Sequence, residues 1–195
     1  MKVEDQNPSV NFILSHLRGP IVMIGMMGAG KTQIGKALAK TFGWICVDSD
    51  AEIEKAAGCS ISDIFEFYGE PAFRDVEHRV IKRLLNEKRT VIATGGGAVV
   101  NAQTRQMMRE NSLMIWLDAD IDTLYERVSG HTHRPLLQTD NPKQKLADLL
   151  DSRRDFYAQA HLRVPSENVT IKQTRDKLLV MLEAYLAQNK DMAQD

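Results

Sequence analysis

Residues 25–32 read Gly-Met-Met-Gly-Ala-Gly-Lys-Thr and satisfy the pattern G-x-x-x-x-G-K-[ST] at every fixed position. Glycines let the backbone curl until its amides converge on phosphate oxygens, and the N-terminus of a following helix adds positive potential. Lys31 can then reach the terminal phosphates of a nucleotide, and the Thr32 hydroxyl can ligate a magnesium ion. An apolar run at residues 21–24 precedes the motif and a segment of helical period follows it, which is the strand-loop-helix setting the chemistry needs. The motif identifies a nucleotide binder without naming what receives the phosphoryl group.

Further candidates recur along the chain. Asp48-Ser49-Asp50 ends a second apolar run. Two acids two residues apart at a strand's C-terminal end can both face a ligand crevice above a sheet, although a helix N-terminus also favours Asp there. One acid can support hydrated Mg²⁺ and the other can meet an acceptor hydroxyl. Arg74 closes the segment Gly-Glu-Pro-Ala-Phe-Arg, and Gly95-Gly96-Gly97 follows a third apolar run directly. Successive glycines permit close approach of backbone to a ligand. Arg134 lies in the loop-like stretch 129–143, where an arginine could close over the γ-phosphate. Arg153 precedes Tyr157 by four residues, and only that spacing selects it over the adjacent Arg154. His131 and His133 flank Thr132 in the same loop and read as exposed residues, since no further ligand cluster accompanies them.

These residues need a scaffold. Short apolar runs at residues 20–24, 44–48, 90–94 and 113–118, with a weaker one at 169–171, alternate with helical periodicity. The first four are nearly continuous in apolar residues, as in strands covered on both faces. Ser60 and Asp63 suggest a capping box, Pro71 suits the first turn of a helix, and Asp120 can cap another. Alternation of this kind implies a parallel sheet flanked by helices. Residues 1–19 and 188–195 read as an N-terminal extension and a polar tail around a domain of residues 20–187.

Composition narrows the partners. The 195 residues carry 25 Lys and Arg against 26 Asp and Glu, a net charge of −1. Nothing in that balance favours nucleic acid or an anionic membrane. No stretch nears the roughly 18 consecutive apolar residues of a membrane span. Two cysteines, Cys46 and Cys59, and a polar first nine residues point to a cytoplasmic protein without disulfides.

The set GMMGAGKT, DSD, SISDIF, GEPAFR, GGG, RPLL and R-x-x-x-Y, in this order over about residues 20–187, resembles the shikimate kinase family. The resemblance implies an α/β, P-loop nucleoside-monophosphate-kinase-like three-layer fold with a five-stranded parallel sheet in the order 2-3-1-4-5. It also implies transfer of the γ-phosphoryl of ATP to the 3-hydroxyl of shikimate, with Mg²⁺, by a monomer. Carried over, Asp50 would hold the shikimate hydroxyls, as general base or only as an orienting group. Arg74 and Arg153 would bind the carboxylate, and Gly95, Gly96 and Gly97 the ring hydroxyls. Gly28, Ala29, Gly30, Lys31, Thr32 and Gln33 would bind the nucleotide, and Arg127 would pack on its adenine. Lys31 and Arg134 would neutralise phosphate charge, with Thr32 and Asp48 serving the metal. Residues 49–80 would form the substrate-binding region and 129–143 a lid. Gluconate kinase, on the same fold, and a non-catalytic nucleotide switch are the competing readings.

Overall fold

The computed structural model describes residues 8–129, 141–166 and 169–189. Five strands form one parallel sheet: β1 (Ile21–Ile24), β2 (Ile45–Asp48), β3 (Thr90–Ala93), β4 (Leu113–Asp118) and β5 (Leu162–Pro165). Their order is β2-β3-β1-β4-β5. Val22 of β1 sits between Ile92 of β3 and Met114 of β4, so the phosphate-loop strand is the centre of the sheet. All of β1 and β3 is buried, and so is the middle of β4. β2 is an edge strand and is more open than its apolar sequence suggests: Ile45 is 58% exposed.

The helices are α1 (Pro8–His16), α2 (Lys31–Phe42), α3 (Ser49–Ala57), α4 (Ile61–Leu84), α5 (Ala102–Asn111), α6 (Ile121–Ser129), α7 (Pro142–Tyr157) and α8 (Ile171–Gln188). Residues 8–16, which the sequence places in an extension, form α1; its Val10 and Ile13 are buried in the common core, against α8 and α2. Ser60 and Asp63 make the expected capping box at the start of α4. Asp120 caps α6 by accepting from the Thr123 N–H at 2.8 Å. Helix α4 is broken at Gly69 (φ 77°, ψ 173°), just before Pro71, which serves the second half as an N-terminal proline.

The fifth strand is not the run at 169–171. Thr170 is the N-cap of α8, in a capping box with Gln173, and Ile171 is largely exposed. The strand lies earlier, where Leu162 pairs with Ile115 and Val164 with Leu117. An arginine and a terminal proline disguise it, and both are tolerated because β5 is the other sheet edge, where a missing N–H costs no ladder bond.

Among the described residues, no helix is long and apolar enough to cross a membrane. Both cysteines are free thiols.

Candidate active site

The phosphate loop, the Asp48–Asp50 turn and the glycine run each follow the C-terminal end of a parallel strand, so all open at the same end of the sheet. Sites of α/β sheets form in that crevice. Gly25, Gly28 and Gly30 adopt positive φ, which curls residues 25–30 into the start of α2. Lys31 is 9% exposed, and its ammonium donates to the Gly25 and Met26 carbonyls at 2.8 and 2.9 Å, arching over the loop. Thr32 follows in the first turn of α2, and its Oγ1 donates to Asp48 Oδ2 at 3.0 Å. The other Asp48 oxygen accepts the Asp50 N–H, capping α3. Gln33 is exposed on the same first turn.

Thr32 and Asp48 suit Mg²⁺, because a hydroxyl and a carboxylate are hard oxygen donors already side by side. Among the described residues there is no group of three or more His, Cys, Asp or Glu that could cage a metal. Mg²⁺ needs none, since it is held by one or two protein oxygens with water and phosphate.

Asp50 lies where the two halves of the site meet. Burial pushes its carboxyl pKa up, and Asp48 adds to this, while Lys31 and Arg74 pull it down. A Cβ added to Gly95 would come within 2.6 Å of Asp50 Oδ1, and one added to Gly97 within 2.9 Å of an Arg74 nitrogen. The glycines are there for close approach: these side chains occupy the space that Cβ atoms would need.

Arg74, on the second half of α4, donates to Glu77 Oε2 at 2.7 Å, to Glu70 Oε1 at 2.9 Å and to the Gly97 carbonyl at 3.2 Å. Its guanidinium also stands 5.1 Å from the Phe73 ring centroid. Burial alone would lower the Arg74 pKa, but the two carboxylates outweigh it and hold the group charged. Glu77 is 1% exposed; burial raises its pKa, against the opposing pull of Arg74 and Arg153. Arg153 of α7 is partly buried and its charge acts on Glu77 and Tyr157, whereas Arg154 is exposed and pairs with Asp151 at the surface. The structure thus separates two arginines that the sequence leaves adjacent.

On the nucleotide side, Arg127 of α6 donates to the Gly28 carbonyl at 3.3 Å and to Ser166 Oγ at 3.2 Å. Ser166 in turn donates to the Ala29 carbonyl at 2.9 Å. Arg134, His131 and His133 lie outside the described residues, as does most of the proposed lid. Sequence reasoning assigned no role to Glu77, Ser49 or Ser166. For Glu77 a signal existed, its position three residues after Arg74 on one helix. For the two serines there was none.

The family model of shikimate kinase matches residues 27–183. A shikimate kinase of Novosphingobium aromaticivorans is 46% identical over 171 residues, covering 86% of this chain and 89% of its own. The structure of shikimate kinase from Acinetobacter baumannii in complex with shikimate superposes with a TM-score of 0.81 at 37% identity, covering 93% of this chain and 98% of its own. A gluconokinase from Sinorhizobium meliloti reaches a TM-score of 0.57 at 18% identity over 92% of this chain and 99% of its own, a likeness of fold alone. This chain belongs to the shikimate kinase family.

Proposed function

We propose that this chain transfers the γ-phosphoryl group of ATP to the 3-hydroxyl of shikimate, giving shikimate 3-phosphate and ADP. The observation that carries this reading is the position of Asp50, a half-buried carboxylate packed against Gly95, two residues from the glycine that Arg74 abuts, and within electrostatic reach of both the phosphate-loop Lys31 and Arg74. A hydroxyl acceptor held by Asp50 would thus stand between the phosphate site and a cation suited to a carboxylate.

In this reading the amides of residues 28–33 and the Lys31 ammonium hold the phosphates. Arg134, which lies outside the described residues, adds charge there. Thr32 and Asp48 hold Mg²⁺, which when bound neutralises phosphate charge. Arg127 packs on the adenine. Arg74 and Arg153 bind the acid end of the acceptor, a task for which guanidinium forks match carboxylate geometry. The backbone of residues 95–97 meets the ring hydroxyls. Asp50 orients the attacking hydroxyl and receives its proton; a pKa raised by burial suits that task. Positioning and charge stabilisation supply most of the catalysis in phosphoryl transfer.

A coupled assay with ATP, Mg²⁺ and, in turn, shikimate, gluconate and nucleoside monophosphates tests the assignment. Turnover with shikimate alone is expected; turnover with gluconate and none with shikimate overturns it. We further infer a cytoplasmic enzyme, supported by its two free thiols, and a monomer. Sedimentation of the purified chain as a dimer would remove the second part.

A further inference from the structure

Each residue of the glycine run is anchored by a different element. The Gly95 N–H donates to Ser49 Oγ of α3 at 3.2 Å. The Gly97 carbonyl accepts from Arg74 of α4 at 3.2 Å. The Gly96 carbonyl accepts from the Tyr157 hydroxyl, at the end of α7, at 2.6 Å. Tyr157 is fully buried, with its ring stacked on Trp116 at a centroid distance of 5.8 Å and an interplanar angle of 23°. Its oxygen also approaches the Met26 sulfur of the phosphate loop at 3.7 Å. Packing against Trp116 asks only for an aromatic ring, and a phenylalanine would supply it. A hydroxyl without access to water must be satisfied inside the fold, so its presence calls for a specific partner. That partner is a backbone carbonyl of the site.

We propose that Tyr157 is a positioning residue for the acceptor: its hydroxyl pins the Gly96–Gly97 peptide plane and thereby fixes the distance between Arg74 and Arg153, the two cations that receive the acceptor's carboxylate. The inference rests on the shikimate kinase reading and deepens it. A peptide unit is planar, so holding the Gly96 oxygen also aims the Gly97 N–H. Three successive glycines have no side chains to restrict them and lose the most freedom on ordering, so external anchors are what make their direction definite. On one side of the run Arg74 is tied to Gly97. On the other, Arg153 stands one helical turn before Tyr157 on the same face of α7, near enough for its charge to act on the Tyr157 hydroxyl. Removing the hydroxyl uncouples α7, and Arg153 with it, from the frame that carries Arg74.

Tyr157→Phe keeps the ring and deletes only the oxygen. Steady-state kinetics with shikimate varied at saturating ATP, and the reverse, are the test, with thermal unfolding as a check on folding. The KM for shikimate should rise about tenfold, the worth of one well-placed hydrogen bond, while the KM for ATP stays within about twofold. Calorimetric titration of shikimate onto the folded variant should report the same loss of affinity where turnover is too slow to measure. An unmoved shikimate KM overturns the inference. So does an equal rise in both KM values, or loss of a cooperative melt, since the hydroxyl would then be a general structural element. A parent chain that binds ATP but does not phosphorylate shikimate overturns the functional reading instead, and the inference with it.

Discussion

The phosphate loop and the proposed acceptor pocket open at the same end of the sheet and are built in opposite ways. The loop is made of backbone: one contiguous segment, residues 25–32, with its lysine bonded to the loop's own carbonyls. The pocket is made of side chains from separate elements: Asp50 from α3, Arg74 and Glu77 from α4, Arg153 and Tyr157 from α7, gathered round the glycine run after β3. A backbone site recognises what all nucleotides share. A side-chain site can be altered one residue at a time, and so it is where the identity of the acceptor resides.

Breaking the loop should give the largest effect. Lys31→Met is expected to lower kcat by about 10²–10³-fold, while calorimetry finds shikimate affinity nearly unchanged; a parallel loss of shikimate binding would show that the regions are not separable. Next comes Gly95→Ala. The new Cβ would lie 2.6 Å from Asp50 Oδ1 and must displace it. A shift of about 1 Å at the reacting group costs about 10²-fold in rate, and nucleotide affinity should survive. Unaltered kcat would remove Asp50 from the chemistry.

Arg74→Ala should raise the KM for shikimate by about 10- to 100-fold, matching about 1.5–3 kcal/mol for a charge-assisted contact, with the KM for ATP little moved. Equal effects on both substrates would dissolve the contrast between the regions.

The smallest effect is a control outside both. His161 Nδ1 accepts the Met114 N–H at 2.9 Å, joining the start of β5 to β4, and burial, assisted by Arg109, lowers its pKa. The unfolded chain then binds the proton more readily than the folded one. Stability is therefore full above the unfolded value, near pH 6.5, and declines as pH falls from there toward the folded value. The loss of stability over that window should disappear in His161→Gln. A parent chain with a flat profile would show that the ring nitrogen contributes nothing.

The same contrast governs what could be read from residue order. The loop was fully legible because its chemistry needs consecutive residues in a strand-loop-helix setting. Four strands were legible from apolar runs, the edge strand β2 among them, and the fifth was missed because Arg163 and Pro165 interrupt its apolar pattern. In the pocket, Asp50, Arg74 and the glycines stood out, but Glu77 did not. Asp75 and Arg79, on the same helix, make an equally regular charge pair, and theirs is two-thirds exposed at both ends. Spacing reveals that two charges can meet; only the packing of α4 against its neighbours decides which pair is buried and which is solvated. Ser49 and Ser166 have no sequence signal at all, since a hydroxyl that anchors backbone looks like any other serine.

The break in α4 has a consequence of its own. Along an unbroken helix, eight residues climb about 12 Å, yet the rings of Phe65 and Phe73 lie 4.6 Å apart. The chain therefore turns a corner at residue 69, in a region of backbone space open essentially to glycine alone. Nothing nearer than 3.6 Å would obstruct a side chain there. The demand is purely torsional, and one missing methyl group is what lets a long rod become an elbow, with Arg74 in the second arm.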